Sequence, residues 1–360
     1  MEYKFQWERP NCEDFSNDKD LIDKIKNLDN SKPIDLLLVI ISGPKQNNRT
    51  YNEVKQLTLS EIQIPTQIVN VQTISKGKNL RSIINRILMQ INWKVGGAPW
   101  GISDIPYDEP MMIMGLSIWK KNQKSQHSIL CCTSTVNRRL NQYITICKEV
   151  KGDDSYDRIK EWIDESIKNF GKINKKSDGS ILIPKKIIVY RDGLSDSQQK
   201  LAINYEIPAI KEVLVEYKNT KFTYFIANKK VSWRFFESNK GSINSAGPGM
   251  VIDHTITSKA SYSNFYMVSQ IARQGAASPS HYHILYSDED LSKEKSNLIK
   301  LTYKLWYLYF HINSGIKLPA PIQYAERWGA LLGEKVNSRK DSDFVLPGKR
   351  FLNKTSLFYI

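Results

Sequence analysis

The chain has 360 residues, 41% hydrophobic and 25% charged, which excludes a disordered tail and favours two folded domains. Its 52 Lys and Arg against 37 Asp and Glu give a formal net charge of +15, which favours an anionic partner such as nucleic acid or an acidic membrane surface. No apolar stretch suits a membrane-spanning helix or a signal peptide. We therefore expect a soluble intracellular protein, cytoplasmic or nuclear, without a membrane partner.

Predicted strands and helices alternate in the first third of the chain. Residues 1–33 contain more acidic than basic side chains and are expected to form a small leader or linker. From Ile34, an apolar run predicts a fully buried strand, and a helix, a strand and a second helix follow. In order, these segments span residues 34–43, 50–57, 66–71 and 79–92. Alternation with short connections predicts a parallel α/β layer within residues 34–105.

The remainder of the chain, residues 106–360, predicts a larger mixed α/β sheet domain. Strands are expected at 111–119, 128–136, 185–193, 221–229, 249–257, 264–272 and 281–286, and helices at 153–170, 197–217, 296–310 and 320–336. Adjacent Cys131 and Cys132 should face opposite sides of a strand, and Cys12 and Cys147 complete no metal-binding spacing. We expect free thiols.

Asp192 stands where an apolar strand ends, in the sequence Tyr-Arg-Asp-Gly. A carboxylate at this end of a strand can face a crevice and hold a hard cation, although an Asp before Gly is also common in turns. His281 and His283 lie two apart on a predicted strand, without a nearby third ligand, and are expected to be a structural pair rather than a zinc site. Asp253 and His254 have no identifiable nucleophile and support no triad.

Taken in order, six segments resemble the PIWI domain of the Argonaute/Piwi family almost element by element: 187–198, 247–257, 264–275, 278–286, 301–310 and 318–333. Residues 51–55, 66–67 and 79–100 resemble the family's MID domain, and the form Q-I-N-x-K-x-G-G-x-x-W from Gln90 to Trp100 is typical of the Piwi branch. The resemblance implies a Rossmann-like MID domain at 34–105 followed by a ribonuclease H-like PIWI domain at 106–360.

By this resemblance, the chain binds a small guide RNA and presents it to a complementary RNA target. The family carries an N domain and a PAZ domain before this core, and neither is recognisable here. We therefore expect a protein partner, either an effector nuclease or a subunit that supplies the missing N-terminal half.

The family holds the 5′ phosphate of the guide between MID and PIWI. The positions that match this pocket are Tyr51, Lys55, Gln67, Gln90, Lys94 and the C-terminal carboxylate of Ile360, which could share a Mg²⁺ ion with the phosphate. Tyr51 could stack on the first base, and Lys55, one helical turn on, would add positive charge on the same face. Without the surrounding motif, Tyr51 and Lys55 would be interpreted as a solvated helix face.

Further family positions contact the guide backbone, and here they are Lys229, Lys230, Arg234, Tyr309, Lys317 and Gln323. Contact with a phosphate requires only a positive group or a hydrogen-bond donor at a suitable position. Each of these residues could therefore also be a surface side chain that contacts no RNA. Within the aromatic run 306–310 we expect most rings to be core, and Tyr309 to point outward.

The family's catalytic tetrad, Asp-Glu-Asp with His or Asp, holds two Mg²⁺ ions. Here the first position is Ser117, Asp192 is retained, and Glu326 occupies the fourth position. The inserted glutamate is not assigned, and the acidic residues in the relevant region are Asp153, Asp154, Asp157 and Glu161. A serine cannot offset divalent charge, so we predict a guide-binding protein without slicer activity and without a catalytic metal pair.

Two other interpretations stay open at this stage. The chain could be a protein scaffold that activates or stabilises a partner enzyme without any guide. Alternatively, Asp192, Glu326 and one of the acids near Asp154 could hold a single cation and support residual metal-dependent nuclease activity.

Overall fold

The computed structural model describes residues 12–28, 34–43, 49–75, 79–120, 127–151, 155–175, 177–239, 241–257, 262–272, 274–312, 314–336 and 355–359. The described residues form two compact units. The first contains those up to Pro99 together with those from Leu331 onward, and the second spans Trp100–Ala330. The first unit thus includes residues from both ends of the chain, whereas the sequence suggested consecutive domains.

A two-stranded parallel sheet lies at the centre of the first unit. Its strands are β1 (Leu37–Ile41) and β2 (Thr66–Asn70). The helices are α1 (Asp18–Lys26), α2 (Arg49–Gln56), α3 (Val71–Ser75) and α4 (Leu80–Lys94), and α2 continues as a π-helix over Leu57–Glu61. Apolar side chains from α1, α2 and one face of the sheet form a common core: Ile22, Ile25, Val39, Ile41, Val54 and Leu57.

Helix α1 lies inside the segment that was expected to be a leader. The Asn17 side chain accepts a hydrogen bond from the Asp20 backbone N–H at 2.9 Å, and acidic residues occupy the first turn, as a helix N-terminus favours. Ile22 and Ile25 then lie on one face and are buried in the core of the unit.

Strand β1 is not fully buried, so that expectation was wrong. Val39 and Ile41 are buried, whereas Leu38 and Ile40 on the opposite face are 51% and 57% exposed. Successive side chains of a strand point to opposite faces of the sheet. Within the described residues, the core formed with α1 and α2 covers the face that carries Val39 and Ile41.

The second unit is built on an eight-stranded mixed sheet. Its strands are β3 (Met111–Lys120), β4 (His127–Thr135), β5 (Tyr143–Lys151), β6 (Lys186–Asp192), β7 (Lys221–Asn228), β10 (Val251–Ile252), β11 (Ser263–Met267) and β12 (Ser280–Ser287). Their order in the sheet is β10-β11-β12-β7-β6-β3-β4-β5. Strands β8 (Phe236–Asn239) and β9 (Ser242–Ser245) form a separate hairpin. The central strands β3, β6 and β7 are parallel to one another, so their carboxyl ends share one edge.

Helices cover both faces of this sheet. They are α5 (Ser155–Ile173), α6 (Asp196–Leu201), α7 (Ile207–Leu214), α8 (Leu291–Leu305) and α9 (Ala320–Ala330), with a π-helical segment over Ala202–Glu206 joining α6 to α7. On one face, α5 and α7 pack on Met114, Leu116 and Cys132. On the other face, Tyr190 bonds Thr302 of α8 at 2.7 Å, and Cys131 lies close to Gly329 of α9. Cys131 and Cys132 therefore face opposite sides as predicted, and all four cysteines are free.

Helix α9 approaches the sheet at Gly115 of β3. A Cβ atom added to Gly115 would lie 2.2 Å from the carbonyl carbon of Pro321 and 2.3 Å from the backbone nitrogen of Ile322. Only a residue without a side chain allows this approach, which brings the following turns of α9 over the end of β3.

Several observed elements differ from the predicted ones. Strand β5 was not predicted, and the strand expected at 249–257 is reduced to Val251–Ile252. Helix α8 ends at Leu305, and a 3₁₀ turn, Trp306–Leu308, follows it. Because Tyr309 then takes an extended conformation, its ring turns inward against Tyr324, with ring centroids 5.2 Å apart. Tyr309 is only 2% exposed, so the outward orientation predicted for it was wrong.

Within the described part of the chain, no helix is long and apolar enough to span a membrane.

Candidate nucleic-acid interface

Two buried lysines meet beside strand β2 in the first unit. Lys55 comes from α2 and Lys94 from the last turn of α4, and each side chain is only 3% exposed. Their Nζ atoms donate to the same backbone oxygen, that of Thr66, at 3.2 Å for Lys55 and 2.9 Å for Lys94. The sequence therefore folds so that residues 39 positions apart place two ammonium groups at one point.

Two glutamines complete this cluster. Lys94 Nζ donates to Gln67 Oε1 at 2.8 Å, and Gln67 Nε2 donates to Gln90 Oε1 at 2.9 Å. Gln67 is 4% exposed. Four of the residues that the sequence assigned to one pocket, Lys55, Gln67, Gln90 and Lys94, are thus joined through hydrogen bonds and the Thr66 carbonyl.

The charges in this cluster are not balanced by carboxylates within the described residues. Burial lowers the pKa of Lys55 to about 8. Burial and then the neighbouring Lys55 charge hold the pKa of Lys94 well below its usual range. Placing two cations against neutral oxygens is unfavourable unless an anion joins them. The cluster is therefore suited to bind an anionic group.

The two remaining residues predicted for this pocket are placed differently. Tyr51 lies one turn before Lys55 on α2 and packs in part against the apolar core of the unit. Ile360 lies outside the described residues. Thr66 was not predicted, and no sequence pattern could have identified it, because it contributes a backbone oxygen rather than a characteristic side chain.

Two of the positions that the sequence assigned to the tetrad, Ser117 and Asp192, meet near the carboxyl ends of β3 and β6 in the second unit. Ser117 Oγ donates to Asp192 Oδ2 at 3.4 Å, and the Gly193 backbone N–H donates to Asp192 Oδ1 at 2.8 Å. Ser117 is 4% exposed, so an added carboxylate there would be buried beside Asp192.

Glu326 on α9 forms an ion pair with Lys229, which lies just after the end of β7. The second carboxylate oxygen of Glu326 accepts from Gln323 Nε2 at 3.2 Å. Both carboxylate oxygens of Glu326 therefore accept hydrogen bonds, and the Lys229 ammonium group balances the negative charge of this carboxylate.

Of the three tetrad positions that the sequence assigns, two carry carboxylates, Asp192 and Glu326, and the third carries the Ser117 hydroxyl. Among the residues that the structure describes, no three Asp, Glu, His or Cys side chains lie together as a potential metal-ligand set. Both oxygens of Asp192 and both oxygens of Glu326 already accept hydrogen bonds. Mg²⁺ prefers several anionic or neutral oxygens at short distance, whereas among the described residues these two carboxylates are engaged by hydrogen-bond donors.

Of the acids considered for the inserted glutamate, only Glu161 has a described side chain. Glu161 pairs with Lys148 at 2.6 Å and with Arg158 at 2.9 Å. It lies on α5, which packs on the face of the sheet that carries Leu116, opposite to Ser117. Glu161 is therefore excluded as a partner of Asp192. Asp153, Asp154 and the side chain of Asp157 lie outside the described residues.

The predicted guide-backbone residues occupy varied environments. Lys230 and Arg234 are exposed, and Arg234 Nη1 donates to the carbonyls of Val231, Ser232 and Trp233. Lys317 is half-buried, and its backbone oxygen accepts from Ser280 Oγ at 2.7 Å. The structure joins Lys229 and Gln323 through Glu326, which the sequence did not predict.

A family model, that of the Piwi domain, matches residues 36–337. Piwi-like protein 1 of Gallus gallus is 31% identical over 308 residues, which are 84% of this chain and 34% of that protein. Piwi-like protein Ago3 of Bombyx mori is 30% identical over 313 residues, 86% of this chain and 32% of that protein. The chain thus spans about a third of the length of these relatives.

Solved structures of Piwi and Argonaute proteins have a fold similar to that of this chain. The crystal structure of Drosophila Piwi superposes with a TM-score of 0.80 at 26% identity, covering 96% of this chain and 44% of that one. The C-terminal lobe of a budding yeast Argonaute has a TM-score of 0.78 at 20% identity, covering 95% of this chain and 72% of that lobe. The α/β architecture with a ribonuclease H-like PIWI fold, expected from the sequence motifs, is confirmed. By its family match and its fold, the chain belongs to the Piwi-domain family of Argonaute/Piwi proteins.

Proposed function

We propose that this chain anchors the 5′ phosphate of a small guide RNA at the cluster formed by Lys55, Lys94, Gln67 and Gln90. The observation that carries this proposal is the pair of buried ammonium groups that share the Thr66 carbonyl and have only neutral partners among the described residues. A terminal phosphate would add negative charge and several acceptor oxygens. An internal phosphate carries less charge than a terminal one and has a nucleotide on each side. A buried cluster therefore suits the end of an RNA strand better than an internal linkage.

Tyr51 would then stack on the first base, and a Mg²⁺ ion shared with the Ile360 carboxylate would further neutralise the phosphate. These two roles rest on the family resemblance. The bound guide would present its bases to a complementary RNA target in the cytoplasm or the nucleus.

Binding of RNAs that differ only at the 5′ end tests the anchoring proposal. We expect the purified chain to prefer 5′-monophosphate over 5′-hydroxyl RNA, and Lys55→Met and Lys94→Met to abolish that preference. Lys24→Met is the matched control, because Lys24 lies on α1 in the same unit, is 49% exposed and pairs with Glu13. Equal affinity of the unmodified chain for both RNAs would refute the proposal.

We further propose that the chain does not cut its target. Ser117 in place of a metal-bridging carboxylate and the pairing of Glu326 with Lys229 support this proposal. Silencing would then depend on a recruited protein, either an effector nuclease or a subunit that supplies the regions found in the longer relatives. A single Mg²⁺- or Mn²⁺-dependent cut in target RNA complementary to a loaded guide would overturn it.

A further inference from the structure

An exposed tryptophan lies at the edge of the sheet where the degenerate tetrad is found. Strand β7 ends at Asn228, and its parallel register with β6 places Ala227 beside Asp192. Lys229 contacts Glu326, so the chain leaves the sheet next to the tetrad positions. Trp233 follows four residues later, which limits its Cα atom to within roughly 14 Å of that of Lys229.

Trp233 is 55% exposed although it is among the most apolar side chains of the segment. Its neighbours Lys230, Ser232 and Arg234 are also exposed, whereas Phe235 points into the protein and is 9% exposed. Along the chain, the aromatic ring is therefore flanked by two cations and a hydroxyl, and Phe236, three residues further on, is also 55% exposed.

The segment is held in a defined conformation. Arg234 Nη1 donates to the backbone oxygens of Val231, Ser232 and Trp233 at 2.9, 3.3 and 2.7 Å. Two residues further on, the Phe235 ring packs edge-on against Tyr266 of β11. The backbone around Trp233 is therefore held in place, while about half of the Trp233 surface stays open to solvent.

A stack of rings lies behind Phe235. Tyr266 stacks on His281 with ring centroids 3.9 Å apart and an interplanar angle of 12°, and His281 contacts His283 at 3.9 Å. Phe235 packs edge-on against Tyr266 at 5.8 Å. Burial lowers the pKa of His281 to about 3, so this imidazole is neutral and packs as an aromatic ring. Tyr266, His281 and His283 thus form a packed row of rings beside Phe235, two residues after Trp233.

We propose that Trp233 stacks on an unpaired base of bound single-stranded RNA, with Lys230 contacting a neighbouring phosphate. An exposed ring beside basic side chains is the combination by which proteins bind single-stranded nucleic acid, since every base has a π-face and every linkage a charge. This inference rests on the proposed RNA binding, but it concerns the second unit and does not require the 5′-phosphate cluster.

The test measures binding of 5′-hydroxyl RNA, which removes any contribution of a terminal phosphate. We expect Trp233→Ala to weaken binding about 5- to 100-fold, the usual effect of losing one base stack, and Trp233→Phe to retain most of the affinity. Ile243→Ala is the matched control, because Ile243 is 75% exposed in the β8–β9 hairpin but has no ring. It should bind as the unmodified chain does.

Two further readouts locate the contact. RNA should quench the intrinsic fluorescence of the unmodified chain more than that of Trp233→Phe, although seven other tryptophans contribute to the signal. Single abasic substitutions along the RNA should include one position at which the loss caused by Trp233→Ala disappears. Thermal unfolding of each variant checks that the fold is kept.

The outcomes separate the two proposals. Loss of the 5′-phosphate preference in Lys55→Met with an unchanged Trp233→Ala effect supports a distinct contact at Trp233. If Trp233→Ala binds 5′-hydroxyl RNA as tightly as Ile243→Ala does, or if the chain binds no RNA, the stacking proposal is wrong. If the unmodified chain shows no preference for a 5′ phosphate but depends on Trp233, only the anchoring proposal fails.

Discussion

The Nζ atom of Lys229 donates a hydrogen bond to the carboxylate of Glu326, 97 positions later in the chain. By family resemblance, Glu326 stands at the fourth tetrad position, and here it pairs with a lysine that the same resemblance assigns to the guide backbone. The glutamate at position 326 therefore affects both the tetrad position and the positive charge that Lys229 can offer to RNA.

Neutralising Glu326 should strengthen RNA binding. In Glu326→Gln, the Lys229 ammonium loses its counter-ion and becomes available to a phosphate, so we expect severalfold tighter binding. The slope of log affinity against log salt concentration should steepen by about 0.7, the value for one additional phosphate contact on a single strand. Titrations at several salt concentrations measure both quantities.

Glu161→Gln is the control for this prediction, because it removes one negative charge that also pairs with a lysine, but on the opposite face of the sheet. An equal gain in affinity for Glu161→Gln would attribute the effect to net charge alone and contradict a role for the Lys229–Glu326 pair.

A carboxylate at position 117 should make the fold sensitive to divalent cations. Ser117 is 4% exposed and its Oγ lies 3.4 Å from Asp192 Oδ2, so Ser117→Asp would bury two like charges side by side. We expect a lower melting temperature without metal and partial recovery in Mn²⁺ or Mg²⁺. Ser117→Asn, of similar size but uncharged, should show no recovery, and thermal unfolding with and without the ions decides between them.

Phosphate recognition by the lysine cluster should weaken as pH rises. In the RNA-free chain the pKa of Lys55 is about 8, so the side chain loses its proton above that pH. We expect affinity for 5′-monophosphate RNA to fall between pH 7 and pH 9 by up to about tenfold for one linked proton. Affinity for 5′-hydroxyl RNA, measured over the same range, should change less; a parallel decline would show that another group controls the pH dependence.

The same lysine should affect stability in the opposite direction. Its folded-state pKa is below the unfolded value of about 10.4, so between these pH values the unfolded chain binds more protons. The free energy of unfolding of the RNA-free chain should therefore rise with pH from about 8 to about 10.4. Lys55→Met should reduce this rise in denaturant titrations, with Lys94 still contributing in the same direction, whereas Lys24→Met should leave it unchanged.

Gly115 should tolerate no side chain. The Cβ of Gly115→Ala would meet the backbone of Pro321 at 2.2 Å, and α9 would have to move away from β3. We expect a loss of stability of about 2 to 4 kcal/mol, in the upper range for overpacking. Gly247→Ala, with its nearest neighbour 4.0 Å away at Glu237, should change the free energy of unfolding much less.

Several parts of the fold were predictable because they depend on short-range patterns. The apolar runs of β3, β4, β6 and β7 and the amphipathic spacing of α5 lie close to the predicted positions. The departures occur where packing overrides the pattern. Tyr309 is an example: its place in an aromatic run suggested an outward helical position, but the helix ends before it and the ring packs on Tyr324.

The order of the motifs and the residue types at matched positions, including Ser117 and Glu326, could be read along the chain, since each depends on local spacing. The partners of those residues could not, because they are set by contacts between distant elements. The shared Thr66 carbonyl under Lys55 and Lys94, the Lys229–Glu326 pair and the rings behind Phe235 arise from the way strands and helices pack. Which side chains become buried next to one another therefore depends on contacts between elements that are distant in the sequence.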